Sequence, residues 1–396
     1  MHEKIIVDDE ISFVEYAHID EIIAEWNLIT KDLSVFYSPD FLRSVENAPP
    51  SGLENRYLLI YKNDVHIGVV NCQLTSFNAR ESIKFKDQPG FVNRSGNAIK
   101  RGVSSLIKFE GLVCGSVLLT GMYAYHFVDI NDHKEQFLRA EQIVEKYRLH
   151  LNEHGKNIKV IFLKDYYADK QLEKHNISVK ETRYKEFSVQ PNMILHLKPE
   201  WKCYEDYLAA FQSKYRVRAK RARKKMEGIE CVELDYAGII KHNAEIFKLY
   251  HNIVDNINFN LFLLDEHYFA ELKKNLKNKF RLFAYFKNEK MVAFYTCIDN
   301  LTEMNAHFLG YDPDENREHQ LYLNSLYDMV ALSVEYNFET INYSRTAMEI
   351  KSSMGAEPYD MYCYLTHQNF FINEIVAKIV GALNPTEEWV QRKPFK

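Results

Sequence analysis

The clearest pattern of apolar and polar positions runs from Arg281 to Thr366. Two apolar runs, Leu282–Phe286 and Met291–Ile298, are separated by Lys287-Asn288-Glu289-Lys290, and a third, Met304–Tyr311, follows another polar turn. Short apolar runs bounded by turn residues predict strands. The first two are apolar along almost their whole length, as strands covered on both faces are. A helical period follows from His319 to Tyr336, then a short strand at Thr340–Ser344 and a last one at Met361–Thr366. Strands, a helix and two more strands make a mixed α/β unit.

The first half carries a similar order. Ile5–Val14 predicts a strand and His18–Trp26 a helix. Ser38 followed by Pro39 reads as the entry of a helix reaching Asn47, closed by Ala48-Pro49-Pro50-Ser51-Gly52. Tyr57–Tyr61 and Val65–Leu74 predict a strand pair turning at Lys62-Asn63-Asp64. Setting Asn63 against Asn288 superimposes the two turns and brings Cys72 onto Cys297. Gly111–Gly121 then falls on the third strand, Glu135–Asn152 on the helix His319–Tyr336, and Ile158–Leu163 on Thr340–Ser344. The match predicts an internal duplication, with domains at 1–190 and 191–396. Residues 76–105, polar and rich in basic groups, join two predicted strands as a binding loop or a surface insertion.

Between the halves, Ser188–Pro199 predicts a strand and Trp201–Phe211 a helix. Ser213 then reads as the cap of a basic helix, 213–227, closed by Gly228. Eight of the twelve residues from Lys214 to Lys225 are Lys or Arg, and Tyr215, Ala219, Ala222 and Met226 form a narrow apolar stripe. Such a helix is either a solvated charged face or a surface for phosphate, in a nucleotide-linked substrate, an acidic lipid layer or an RNA backbone. Lys214 and Arg216 are its candidate ligand-binding residues. Further on, Lys241–Ile257 predicts a helix, and Asp265 reads as the cap of another, Glu266–Leu276.

Composition narrows the function. Hydrophobic content of 46% and charged content of 27% suit a soluble globular chain with ample core, and a net charge of −5 argues against a general polyanion binder while allowing a local basic patch. Six scattered cysteines without a CxxC pair predict neither a zinc site nor a disulfide framework, which fits a reducing cytoplasm. No His/Asp/Glu group has metal-ligand spacing, so no metal is expected. Neither a signal-like start nor a membrane-length apolar run is present. The mostly apolar tail 370–383 predicts a docking helix, or an attachment to the inner face of a membrane.

Chemistry-bearing residues gather late. His307, beside Asn305 on the third strand, is a candidate general base or a hydrogen-bonded core histidine. Tyr343 and Arg345 close the next strand, where open α/β sheets bind ligands, so Arg345 is a candidate for an anionic group and Tyr343 for a proton. Glu303 reads as a turn residue. Gly115 and Gly121 bracket a segment able to approach a neighbour closely, and Cys114 reads as buried.

The strand with Pro191-Asn192-Met193, the short helix, Ser213-Lys214-Tyr215-Arg216 and the basic helix ending in glycine resemble the start of the second domain of FemABX-type transferases, which belong to the GNAT superfamily. Strand Thr340–Ser344 and the run from Arg345 through Lys351-Ser352-Ser353-Met354-Gly355 resemble that group's closing strand and Lys-x-x-x-Gly segment. The resemblance covers about 190–367, and reaches the first half through the repeat. It implies an α/β fold of mixed sheets, two tandem GNAT-like domains with a cleft between them, and transfer of an acyl group to an amine. Lys351 would stabilise the oxyanion. At Gly310–His319 the glycine pattern that cradles a coenzyme A pyrophosphate in typical acetyltransferases is replaced by an acidic loop. That departure leaves the donor open among acyl-CoA, an acyl carrier protein and charged tRNA; the reading adopted takes acyl-CoA or an acyl carrier protein as co-substrate, with no permanently bound cofactor. The acceptor would be a small-molecule or lipid amine. Aminoacyl-tRNA as donor in a peptidoglycan-type transferase, and a non-catalytic binding module, remain the alternatives.

Overall fold

The computed structural model describes residues 3–78, 108–167, 183–255, 262–374 and 389–396. In chain order the strands are β1 (Lys4–Ile6), β2 (Ile11–Tyr16), β3 (Leu53–Lys62), β4 (Val65–Asn78), β5 (Lys108–Cys114), β6 (Tyr125–Phe127), β7 (Ile158–Tyr167), β8 (Lys185–His196), β9 (Glu230–Leu234), β10 (Phe280–Lys287), β11 (Lys290–Asn300), β12 (Glu303–Tyr311), β13 (Thr340–Asn342) and β14 (Glu357–His367). The helices are α1 (Ile23–Thr30), α2 (Pro39–Asn47), α3 (His133–Glu153), α4 (Tyr204–Ala210), α5 (Ser213–Lys224), α6 (Tyr236–Lys241), α7 (Asn243–Val254), α8 (Tyr268–Leu276), α9 (Pro313–His319), α10 (Leu321–Glu335) and α11 (Met348–Ser353). The class is mixed α/β.

The chain divides into two compact units: Met1–Val189 with Ile257–Asp265 and Met361–Pro385, and Gln190–Asn256 with Glu266–Asp360 and Thr386–Lys396. In unit 1, β1, β2, β3, β4 and β5 pair antiparallel in sequence, and β7 joins β5 in parallel. Residues Met361–His367 of β14 pair antiparallel with β7. A strand that the sequence pattern places with the second half thus completes the first unit. Its Tyr364 packs edge-on to Phe137 of α3 and Tyr166 of β7. The stretch read as one strand, Ile5–Val14, is a hairpin, because Asp8 bonds the main chain of Glu10 and Ile11 at 2.8 Å and turns it. Ser38 caps α2 as expected, accepting from Phe41 N at 3.3 Å.

In unit 2 the order is β8 (from Gln190), β13, β12, β11, β10, β9, with β12 and β13 the parallel pair. One sheet face packs on α4, α5 and α10 through Met193, Tyr207, Ala219, Ala222, Tyr295, Met304 and Val330. The other is covered over β10–β12 by α7 and α8, where Phe269 meets Phe280 and Phe294. At Gly310 a Cβ would lie 2.5 Å from Leu249 C and 2.6 Å from Tyr250 N, so only glycine lets α7 settle on β12. The expected helix 319–336 is α10, which begins at Leu321 because Gln320, with a left-handed φ of 53°, separates it from α9. Gln212, held by Pro394 O at 2.8 Å, is the N-cap residue of α5, so Ser213 stands one position inside it. In α8, likewise, the N-cap residue is His267 and not Asp265.

The basic loop 76–105 lies outside the described residues from 79 on. The tail is helical from Phe370 to Glu374, and 375–383 fall outside them. Among the described residues no helix is long and apolar enough to cross a membrane.

Candidate functional site

The geometry of interest lies where β12 and β13 part. They pair in parallel only over Glu303–Asn305 and Thr340–Asn342. Beyond that point the chain stays with β8: Tyr343 N donates to Met193 O at 2.9 Å and Met193 N to Ser344 O at 3.2 Å. The edge of β12 from Ala306 to Tyr311 therefore has no strand neighbour on that side among the described residues. A register shift between Tyr295 and Cys297 sets the extra residue of a bulge at His307–Phe308. Thr296 Oγ1 stitches the bulge, accepting from Phe308 N at 2.9 Å and donating to Phe308 O at 2.7 Å. Residues Ala306–Leu309 are all partly exposed although they sit on an interior strand.

Polar groups line one sheet face beside this parting. The Glu303 carboxylate accepts from Asn305 Nδ2 at 3.0 Å, Asn342 Nδ2 at 3.3 Å and Thr340 Oγ1 at 3.5 Å. No cation pairs with it among the described residues, and burial raises its pKa against the pull of those three bonds. A half-buried carboxylate fed by neutral donors is a candidate site group. The turn reading missed it. The legible signal was the polar alternation Glu303, Asn305, His307 on an otherwise apolar strand, echoed by Thr340 and Asn342.

Of the residues singled out by sequence, His307 stands at the bulge. Its Nε2 meets Tyr268 OH at 2.8 Å, and burial pushes its pKa down to about 3. It is therefore neutral and weakly basic at neutral pH. Tyr343 is buried and donates to Leu326 O of α10 at 3.1 Å, so its proton serves the core. Lys351 is 4% exposed; its Nζ donates to Arg345 O at 2.6 Å and Ser344 O at 3.1 Å, and burial pushes its pKa down to about 7. It clamps a turn in which Ser344, Thr346 and Ala347 all have positive φ, a conformation costly for residues with a Cβ. Ser344 Oγ reaches Ala306 O at 3.5 Å, so Lys351, the main chain of half-buried Arg345 and the β12 bulge share one locality.

Lys214 and Arg216 are not in that locality. They occupy the first turn of α5, where Arg216 Nη1 approaches Ala209 O at 3.5 Å. The last turn lies against the start of α10: Asn324 Nδ2 donates to Ala222 O at 3.0 Å and His319 Nδ1 bonds Lys225 O at 2.6 Å. Exposed Arg221, Lys224 and Lys225 thus stand at the α10 N-terminus, while Arg223 turns inward to Asp328 at 2.6 Å. At that N-terminus Asn316 Oδ1 accepts from Tyr322 N at 2.9 Å. Glu315, Glu318 and His319 cluster there, and Lys287 Nζ lies 2.8 Å from Glu315 and 3.0 Å from His319 Nε2, filling with an ammonium the place a cation would take.

This arrangement belongs to a fold used by acyltransferases. The chain is similar to FemX, with a TM-score of 0.51 at 11% identity over 92% of this chain and 99% of that one. It is similar to a tandem GNAT protein from the clavulanic acid biosynthesis pathway, with a TM-score of 0.50 at 9% identity over 91% and 99%. It also matches Saccharomyces cerevisiae N-myristoyltransferase with bound myristoyl-CoA, with a TM-score of 0.50 at 9% identity over 89% and 78%. At such identities the likeness is one of fold, and in fold the chain resembles tandem GNAT proteins of the FemABX type. No family model and no curated protein matches its sequence.

Proposed function

We propose that unit 2 is an N-acyltransferase that moves an acyl group from a polyanionic thioester donor to an amine. The observation that carries this reading is the parting of β12 and β13 at a bulge, beside the half-buried Glu303 carboxylate. The edge Ala306–Tyr311, without a strand neighbour there among the described residues, is suited to hold an extended acyl carrier by main-chain bonds, as an added strand is held. The cations Arg221, Lys224 and Lys225 favour a donor bearing phosphates. In the yeast N-myristoyltransferase structure the ligand is myristoyl-CoA, a donor of that chemistry.

In the proposed reaction the amine nitrogen, as free base, attacks the thioester carbonyl carbon. The C–N bond forms, the oxyanion collapses, the C–S bond breaks, and one proton passes from nitrogen to the leaving thiolate. Glu303 is the group suited to take the amine proton and pass it on to the thiolate, because burial raises its affinity for one. His307 orients through its neutral imidazole, and Lys351 acts as a positioning residue that fixes the turn at Ser344–Arg345. Main-chain N–H groups on the open edge are the oxyanion donors.

The test offers the full chain acyl-CoA, acylated carrier protein and charged tRNA in parallel with a panel of amines, and follows amide formation by mass spectrometry. Amide from a thioester donor supports the reading. Amide from tRNA alone moves the chain to the aminoacyl-tRNA reading, and no amide from any donor leaves the fold as a binding module.

A further inference from the structure

The C-terminal end of α3, in unit 1, brings together three groups that donate electron pairs. His150 lies in the last turn of the helix and His154 is its C-cap residue. On a helix, His-x-x-x-His sets two imidazoles on one face toward one ion. The sequence holds this spacing at His150 and His154, against the expectation of no metal. β2 packs on α3 through Phe13 and Tyr147, whose ring centroids are 5.8 Å apart, and the β1–β2 hairpin carries Glu3 to the same helix end. One nitrogen of each imidazole and one oxygen of the Glu3 carboxylate lie within 4.8 Å of one another.

Hydrogen bonding decides where the lone pairs point. His154 Nδ1 lies 2.8 Å from His150 O. A carbonyl only accepts, so Nδ1 carries the hydrogen, and in the neutral ring Nε2 carries the lone pair. Metal-bound histidines almost always have their other nitrogen fixed in this way. That Nε2 faces Glu3 Oε2 at 4.0 Å, beyond hydrogen-bond reach. The His150 ring stands beside it, with centroids 4.1 Å apart and planes tilted by 38°. Neither the Glu3 carboxylate nor the His150 ring has another polar partner among the described residues. The helix end adds the negative pole of its dipole. Converging lone pairs, a carboxylate and a negative pole together lack a cation. We propose that Glu3, His150 and His154 form a three-ligand site for a divalent transition metal ion such as Zn²⁺, which staples the edge strand β1 to the end of α3. Bonds of about 2.0–2.2 Å set tetrahedral ligands about 3.3–3.6 Å apart, so the three atoms close by about an ångström, and water takes the fourth position. The side chains of Glu3 and His154 are largely exposed and can make that shift. The site rests on unit 1 alone and stands whatever the outcome for acyl transfer.

Calorimetry on the full chain without an affinity tag tests it, with Zn²⁺ as probe, Mg²⁺ as control and Co²⁺ as spectroscopic reporter. About one Zn²⁺ should bind, raise Tm and slow amide exchange in β1. His150→Ala and His154→Ala should each weaken binding by about a hundredfold, and Glu3→Gln by about tenfold, with an unchanged circular dichroism spectrum. Co²⁺ should give the intense visible bands of a four-coordinate ion, lost in His154→Ala. The proposal is overturned if Zn²⁺ gives no heat, or if Mg²⁺ binds as well, since that would be plain attraction to carboxylates. It is overturned if either histidine variant binds as the parent does, which would place the ion elsewhere, the exposed Cys203 and Cys231 included. Glu3→Gln with unchanged affinity and unchanged exchange in β1 would leave a histidine pair without a staple, and would overturn it too.

Discussion

The two units start alike and end differently. Both hairpins turn on residue pairs with positive φ, Asn63 and Asp64 at 48° and 66°, and Asn288 and Glu289 at 50° and 65°. Both strands leading into the turn slip register just before it, between Ile60 and Tyr61 and between Tyr285 and Phe286. The units diverge at the parallel pair. In unit 1, β5 stays paired with β7 to its last residue, Cys114 opposite Leu163. The chain then turns at Gly115 and Gly121, with φ of 106° and 123°, and folds over a buried ion pair. Lys164 donates to Leu119 O at 2.6 Å and pairs with Asp165, whose Oδ2 accepts from Gly121 N at 3.2 Å. In unit 2 the strands part after three pairs, and the buried Lys351 meets carbonyls and, among the described residues, no carboxylate. Among the described residues, the same element pair is covered by its own loop in one unit and parts without a further strand neighbour in the other.

The largest effect that would break the comparison is on stability. Lys164→Met leaves Asp165 buried without its cation and should cost about 3–5 kcal/mol by denaturant titration. A loss under about 1 kcal/mol would deny the covering loop its role. Next, Glu303→Gln should keep the fold, since an amide can still accept from Asn305 and Asn342, while lowering kcat by about 10²–10³. Unchanged kcat would return Glu303 to a purely structural place. Lys351→Met strands the Ser344 and Arg345 carbonyls and should cost about 2 kcal/mol. That cost should depend on pH. With the folded pKa near 7, below the ordinary 10.5, the penalty is full below pH 7, where the ammonium itself is buried, and fades toward pH 10.5 as the unfolded chain also loses the proton. Parent minus variant stability should therefore grow as pH rises from 7 to 10. A flat difference would mean the ammonium stays charged. The smallest effect is on the donor: Lys224→Glu with Lys225→Glu should raise KM for an acyl-CoA by about tenfold at low salt and less at high salt, with kcat unchanged. Equal KM values at both ionic strengths would detach α5 from the donor.

Much of each unit was legible from local chemistry. The turns Asn63-Asp64 and Asn288-Glu289 follow from residues that tolerate a left-handed backbone. The small-residue stripe of α5 followed from period alone, and Ala219 and Ala222 are buried as it requires. The repeat was readable because hairpin, helix and strand recur in one order. Burial and pairing across the fold were not readable, since each depends on what a distant segment supplies. Met361–His367 has the pattern of a strand, but its choice of β7 depends on Phe137 and Tyr166. Glu303 looks like a turn residue until β13 brings Thr340 and Asn342 beside it, and His307 looks like a base until Tyr268 and Phe308 cover it. The sequence by itself determined which elements form and that they form twice. Tertiary structure decided which parallel pair stays shut and which opens, because a few buried charges and a three-residue ladder settle that balance, and no local pattern encodes them.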